Sequence, residues 1–163
     1  MKALCTGSFD PVTIGHYDYI CRAAALFDSV VIAVSSNTNK HCMFSAKDRV
    51  RFLKQAFSGF DNVEVVSFDG WAADLAKKYG ADVIIKGIRG STDLDYEATI
   101  SDVNRKISGV ETLYIPSSPA VCHISSTAVR EMIKHGKDYR PFIPDGVVIE
   151  DGTEDGTEHG KDV

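Results

Sequence analysis

The sequence has no apolar run approaching the ~20 residues that cross a bilayer, no C-x-x-C, and no surplus of bases. Each absence removes a class. Without the long apolar run, no membrane span is expected. The opening Met1-Lys2-Ala3-Leu4-Cys5-Thr6-Gly7 passes straight into a strand-and-turn pattern, so neither a signal peptide nor export is expected, and the predicted location is the cytoplasm. The four cysteines, Cys5, Cys21, Cys42 and Cys122, are widely spaced; they read as reduced thiols rather than a zinc knuckle or a redox pair. Bases number 18 against 23 acids, and the imbalance lies at one end, where Glu150, Asp151, Glu154, Asp155, Glu158 and Asp162 share a stretch with Lys161 alone. A balanced body argues against a nucleic-acid partner, because duplex binding needs a broad excess of Lys and Arg. No G-x-G-x-x-G follows the first apolar run, so a dinucleotide dehydrogenase lacks its usual mark.

What is present is the composition of one globular domain: 163 residues, 44% hydrophobic and 25% charged, enough to bury a core without disulfides or a structural metal. Runs rich in Val and Ile alternate with helical periodicity, the pattern of a parallel sheet covered on both faces. Strands are predicted near 2–6, 30–36, 63–67, 82–86 and 111–115. Ser45-x-x-Asp48 resembles a capping box opening a helix over 46–58, and Gly80 and Gly136 stand where helices over 71–79 and 126–135 stop. With right-handed crossovers, the fold class is α/β, a Rossmann-type doubly wound five-stranded parallel sheet. The domain is predicted to span 1–149. From Glu150 the text is acidic and without aliphatic residues until Val163, so 150–163 is expected to be a disordered tail, with a partner-binding acidic motif as the alternative.

In open α/β sheets ligands collect at the carboxyl ends of the strands, and three clusters fall there. After the first strand comes Gly7-Ser8-Phe9-Asp10-Pro11-Val12-Thr13-Ile14-Gly15-His16, which puts an imidazole in the first turn of a helix, where dipole and free amides favour phosphate. Alone, His16 reads as a surface or capping histidine. Beyond the fourth strand lies Lys86-Gly87-Ile88-Arg89-Gly90-Ser91, then Asp93-Leu94-Asp95-Tyr96-Glu97. Two cations about a glycine make an anion site or two solvated side chains at a turn. The third cluster, Ile124-Ser125-Ser126-Thr127-Ala128-Val129-Arg130, gathers hydroxyls and free amides at a helix start, where serines also serve as plain N-caps.

The ten residues ending in His16 resemble the N-terminal signature of the T/HxGH nucleotidyltransferases, relatives of the class I aminoacyl-tRNA synthetases. The three clusters in this order, over roughly residues 3 to 147, resemble bacterial-type phosphopantetheine adenylyltransferases. That resemblance implies an acceptor site at Ser8, Lys40, Ala72 and Lys86, although Lys40 read without it is a solvent lysine. It implies an ATP site at Ser8, Phe9, His16, Gly87, Ile88, Arg89, Glu97 and a stretch through Val121, Cys122, His123, Ile124, Ser125, Ser126 and Thr127. The chain departs from the family in four places. Ser8 replaces a threonine, Lys86 stands where an arginine is common, the Pro116–His123 loop differs in composition, and the acidic tail takes the place of a terminal helix.

The reaction implied is ATP plus 4'-phosphopantetheine giving dephospho-coenzyme A and pyrophosphate, by in-line attack without a covalent intermediate. His16 would stabilise the transition state. Mg2+ would travel on ATP, with no dedicated protein metal site; coenzyme A would be a feedback ligand, and a homohexamer the assembly. The rivals are a related transferase for nicotinamide mononucleotide or for CTP with a phosphoalcohol, and a non-catalytic nucleotide or coenzyme A sensor.

Overall fold

The computed structural model describes residues 1–36 and 42–149; Lys40 and the segment from Glu150 lie outside the described residues. Alternation along the strands sets the architecture. In β1 (Lys2–Gly7), Ala3 and Cys5 enter one core layer and Leu4 the other. β2 (Ser29–Ser35) divides Val30, Ile32 and Val34 from Val31 and Ala33, and β4 (Val83–Ile88) divides Val83 and Ile85 from Ile84. Strands apolar on both faces require cover on both. The first layer is closed by Tyr19, Ile20 and Ala23 of α1 (Ile14–Leu26), Phe52 and Leu53 of α2 (Ala46–Ala56) and Val129 of α5 (Ser126–Lys134). The second is closed by Leu75 and Ala76 of α3 (Ala72–Tyr79), with α4 (Ser91–Ser108) packed against α3, β4 and β5.

With β3 (Val63–Phe68) and β5 (Glu111–Pro116) at the edges, the order is β3-β2-β1-β4-β5 and every pairing is parallel. This is the doubly wound α/β sheet expected from the sequence. The chain winds outward from β1 to β3 and then restarts beside β1 at β4, so the switch point, and with it the crevice for a ligand, falls at the carboxyl ends of β1 and β4.

Element bounds differ in instructive ways. The fourth strand extends to Ile88, so Lys86 and Gly87 lie within β4, paired with Tyr114 and Ile115, rather than beyond it. The helix expected over 46–58 stops at Ala56, because the Phe57 and Phe60 rings turn in to meet Tyr17. Ser45 caps that helix and accepts from the Asp48 amide, but Asp48 answers the Ser45 hydroxyl, so the reciprocal box is incomplete. Gly80, at φ 61°, ends α3 as its position suggested. After a 3-10 turn at Arg140–Phe142, Ile143, Val147 and Ile149 are buried in the first layer. All four cysteines are free.

Candidate active site

The loop after β1 is fixed from three sides. Phe9 takes φ 48°, a left-handed conformation that costs a non-glycine residue about 1 kcal/mol or more, and it is held there by full burial of its ring. The Asp10–Pro11 peptide is cis. The buried Asp10 carboxylate accepts from the amides of Met43 (2.8 Å) and Phe44 (2.9 Å). Arg49, also buried, donates to the carbonyls of Ser8 (2.6 Å), Ser35 (2.9 Å) and Phe44 (3.1 Å), tying the ends of β1 and β2 together. Across the crevice Arg130 reaches the Asp10 carbonyl at 2.6 Å, and the Ser126 hydroxyl donates to the Pro11 carbonyl at 2.8 Å.

Thr13 is the N-cap of α1 and His16 its third residue, and together they form a capping box. The Thr13 amide donates to His16 Nδ1 at 3.1 Å, and the His16 amide to Thr13 Oγ1 at 3.4 Å. An accepting Nδ1 leaves the ring proton on Nε2, so the neutral imidazole is a hydrogen-bond donor from that atom. Burial lowers the His16 pKa to about 4, with Arg89 adding repulsion. Its ring meets Phe9 edge-on at 5.1 Å.

From β4, Lys86 Nζ lies 3.3 Å from the Thr6 carbonyl and 3.2 Å from Glu97 Oε2. Arg89 forks onto Asp93 with Nε at 2.8 Å and Nη2 at 3.0 Å, which holds the Asp93 carboxyl below the usual carboxylate range. Gly87 is required: a Cβ there would stand 2.4 Å from the buried Tyr19 ring. At the start of α5, Ser125 accepts from the Ala128 amide and Thr127 Oγ1 from Arg130. Both keep a hydroxyl proton for a ligand, whereas that of Ser126 is committed to Pro11.

These groups line one cavity of about 460 Å³ at the switch point, within the usual range for a small-molecule site. It takes in Ser8, Phe9, His16, Lys86, Gly87, Arg89, Glu97, Ile124, Ser125, Ser126 and Thr127. Ala72 opens α3 beyond β3, and Ile88, Val121, Cys122 and His123 also stay off its wall. Lys40 lies outside the described residues. The wall further includes Thr13, Tyr19, Asp93 and Arg130, none of them in the expected site. Two of these had a readable signal: Thr13 stands three residues before His16, the capping-box spacing, and Asp93 four after Arg89, the spacing of a helical ion pair. Asp18, one turn along α1, accepts from the Ser118 amide (3.2 Å) and hydroxyl (2.7 Å), anchoring the 116–124 loop that leads into Ser125.

What this arrangement can do chemically is bind phosphates: three cations, two free hydroxyls, a helix N-terminus and a neutral imidazole N–H face one space. Comparison with known proteins agrees. A family model described as cytidylyltransferase-like matches residues 4–132. Phosphopantetheine adenylyltransferase of Flavobacterium psychrophilum is 42% identical over 148 residues, 91% of this chain and 98% of that protein. Those of Psychromonas ingrahamii (85% of this chain, 86% of that one) and Bifidobacterium longum (90% and 89%) are each 46% identical. Among solved structures, a putative nicotinate-nucleotide adenylyltransferase from Vibrio parahaemolyticus superposes with a TM-score of 0.66 over 90% of this chain and 94% of its own, at 20% identity. At that identity it is a likeness of fold.

Proposed function

The chain belongs to the phosphopantetheine adenylyltransferase family, and from that premise we propose that the cavity at the β1–β4 switch point joins the AMP part of ATP to 4'-phosphopantetheine by direct in-line attack. The observation that carries the reading is that His16, Lys86, Arg89 and the α5 hydroxyls, distant in sequence, line one space.

The nucleophile is itself a phosphate. With a second pKa near ~6 it is largely dianionic at neutral pH, so no protein base is needed. Catalysis then rests on alignment and on charge stabilisation. Lys86, with Lys40, orients the acceptor phosphate; Ser8 completes that side within the cavity, and Ala72 belongs to it from beyond the wall. His16 Nε2–H donates to the α-phosphoryl oxygens as charge builds there. Being neutral, it keeps one fixed donor across the physiological range. Arg89, Ser125 and Thr127 hold the outer phosphates; Phe9, Gly87, Glu97 and Ile124 complete the nucleotide side within the cavity, with Ile88, Val121, Cys122 and His123 behind its wall.

Among the described residues no group of three or more His, Cys, Asp or Glu could hold a metal ion. The two carboxylates of the wall, Asp93 and Glu97, are paired with cations, so the donor set suits Mg2+ carried on the ATP phosphates, where it would neutralise charge. Coenzyme A contains both the adenylate and pantetheine parts, which supports its binding to the same cavity as a feedback ligand. Exposed Leu94, Tyr96, Val103 and Ile107 along α4, with Leu113 on edge strand β5, support self-association, here proposed as a homohexamer. No helix among the described residues is long and apolar enough to cross a membrane; a cytoplasmic location is the proposal.

Pyrophosphate release measured with ATP against 4'-phosphopantetheine, nicotinamide mononucleotide and a phosphoalcohol, and with CTP in place of ATP, tests the reading. Release with ATP and 4'-phosphopantetheine alone is expected. Release only with another pair, or none despite nucleotide binding, overturns it.

A further inference from the structure

Three cations line the cavity, Lys86, Arg89 and Arg130, and the two that come from the end of β4 are held in different ways. Arg89 is locked: two parallel N–H···O bonds run to Asp93, and its own backbone amide donates to the same carboxylate at 3.3 Å. Lys86 meets Glu97 through a single contact at 3.2 Å, with both side chains about four-fifths buried at 17% and 21% exposure. An ammonium has three N–H donors. Two are taken, by the Thr6 carbonyl and Glu97, and one remains.

An oxyanion that reaches this third donor also enters the field of the Glu97 carboxylate. Attraction to Lys86 and repulsion from Glu97 act at similar range in a poorly solvated corner, so they largely cancel. A molecule that supplies a hydroxyl or amide N–H to Glu97 changes the outcome, since the carboxylate then exchanges one donor for another and Lys86 is left to the phosphate. A single-contact pair permits that exchange, whereas the Arg89–Asp93 fork resists it.

We propose that Glu97 is a specificity-determining residue. Its ion pair with Lys86 cancels the attraction of this cation for a bare oxyanion and reserves the site for a phosphate borne by a molecule with a hydrogen-bond donor of its own. The inference rests on the reading of Lys86 as the acceptor-phosphate cation, and it goes beyond assigning Glu97 to a substrate.

Inorganic sulfate is the probe, a dianion with no proton to give. Its binding is measured by calorimetry at pH 8 to the parent chain, to Glu97→Gln and to the double variant Lys86→Met/Glu97→Gln, each checked by thermal melting. Glu97→Gln is expected to bind sulfate on the order of tenfold more tightly than the parent, and the double variant, as neutral as the original pair, within about threefold of it. The preference for 4'-phosphopantetheine over sulfate falls by about tenfold in Glu97→Gln. Unchanged sulfate affinity in Glu97→Gln, or a double variant at least about tenfold weaker than the parent, overturns the proposal. Should Glu97→Gln fail to fold, the double variant against the parent decides. The sulfate series needs no turnover, so a parent that releases no pyrophosphate sinks the functional reading while the role of the pair is still decided.

Discussion

Thr13 and His16 cap each other: the threonine amide donates to Nδ1 of the imidazole, and the threonine hydroxyl accepts from the histidine amide. The same bond that starts α1 therefore sets the tautomer of the ring facing the cavity. Two readings of His16 that looked like alternatives in the sequence, a cap and a ligand for phosphate, are two ends of one side chain.

That arrangement is visible by NMR. At neutral pH the 15N shifts of His16 are expected to report a proton on Nε2 and none on Nδ1, and to titrate near pH 4 rather than 6.5. Between those values the unfolded chain binds a proton that the folded chain refuses. Stability therefore falls as pH is lowered through this window, by at most about 1.4 kcal/mol per pH unit. A His16 midpoint at 6.5 would remove this linkage, and one well above 7 would remove the neutral donor as well.

Gly87→Ala tests how the cavity wall is built. The added methyl would meet the Tyr19 ring at 2.4 Å, and Tyr19 is core-buried while Gly87 is fixed in β4 by its pairing with Ile115. Overpacking of this kind costs about 1–3 kcal/mol. A melting temperature lowered by several degrees is expected, together with weaker ATP binding as β4 and α1 move apart; a parent-like melt would show that Tyr19 can swing aside.

Removal of residues 150–163 should leave fold and turnover intact, because that stretch is acidic and without aliphatic residues until Val163, while Ile149 just before it is buried in the first layer and its carbonyl accepts from the Tyr139 hydroxyl. A cut before Ile143 should not be tolerated. It removes Ile143, Val147 and Ile149 from the first layer and the Val148 backbone from Arg51 and Gln55, at about 2 kcal/mol or more for each large apolar side chain lost. Melting curves and pyrophosphate release for the two truncations check this, and loss of either property in the shorter deletion would give the acidic segment a structural task.

What was legible in the sequence was what repeats or what sits on a turn. Alternating Val and Ile gave five strands to within a residue or two, and glycines marked the ends of helices. The site clusters were legible because each lies at or beyond the carboxyl end of a strand. Asp10 and Arg49 were not. Apart from the Phe44 carbonyl five positions before Arg49, the main-chain partners named for them are 14 to 41 positions away, and side-chain bonds to distant main chain leave no periodicity. The extent of β4 beyond Lys86 was missed for a related reason: Gly87-Ile88 read as part of a turn, and only pairing with β5 makes them strand.

His16→Ala is expected to lower turnover far more than ATP affinity. Charge accumulates on the α-phosphoryl oxygens chiefly as the fifth bond to phosphorus forms, so a donor aimed there contributes in the transition state. Losing such a donor commonly costs on the order of 10²–10³ in rate, or about 3–4 kcal/mol. The capping bond lost with the same side chain costs only ~1 kcal/mol of stability. A parallel variant separates the two effects: Thr13→Ala removes the hydroxyl of the box but leaves the imidazole, so it should share the stability loss of His16→Ala without the collapse in rate. Single-turnover rates, ATP dissociation constants and melting temperatures for both variants decide the matter. If His16→Ala turns over within a few-fold of the parent while showing the same melting shift as Thr13→Ala, His16 is a cap and no more. If turnover collapses while nucleotide affinity holds, its contribution is made to the transition state, as differential binding requires.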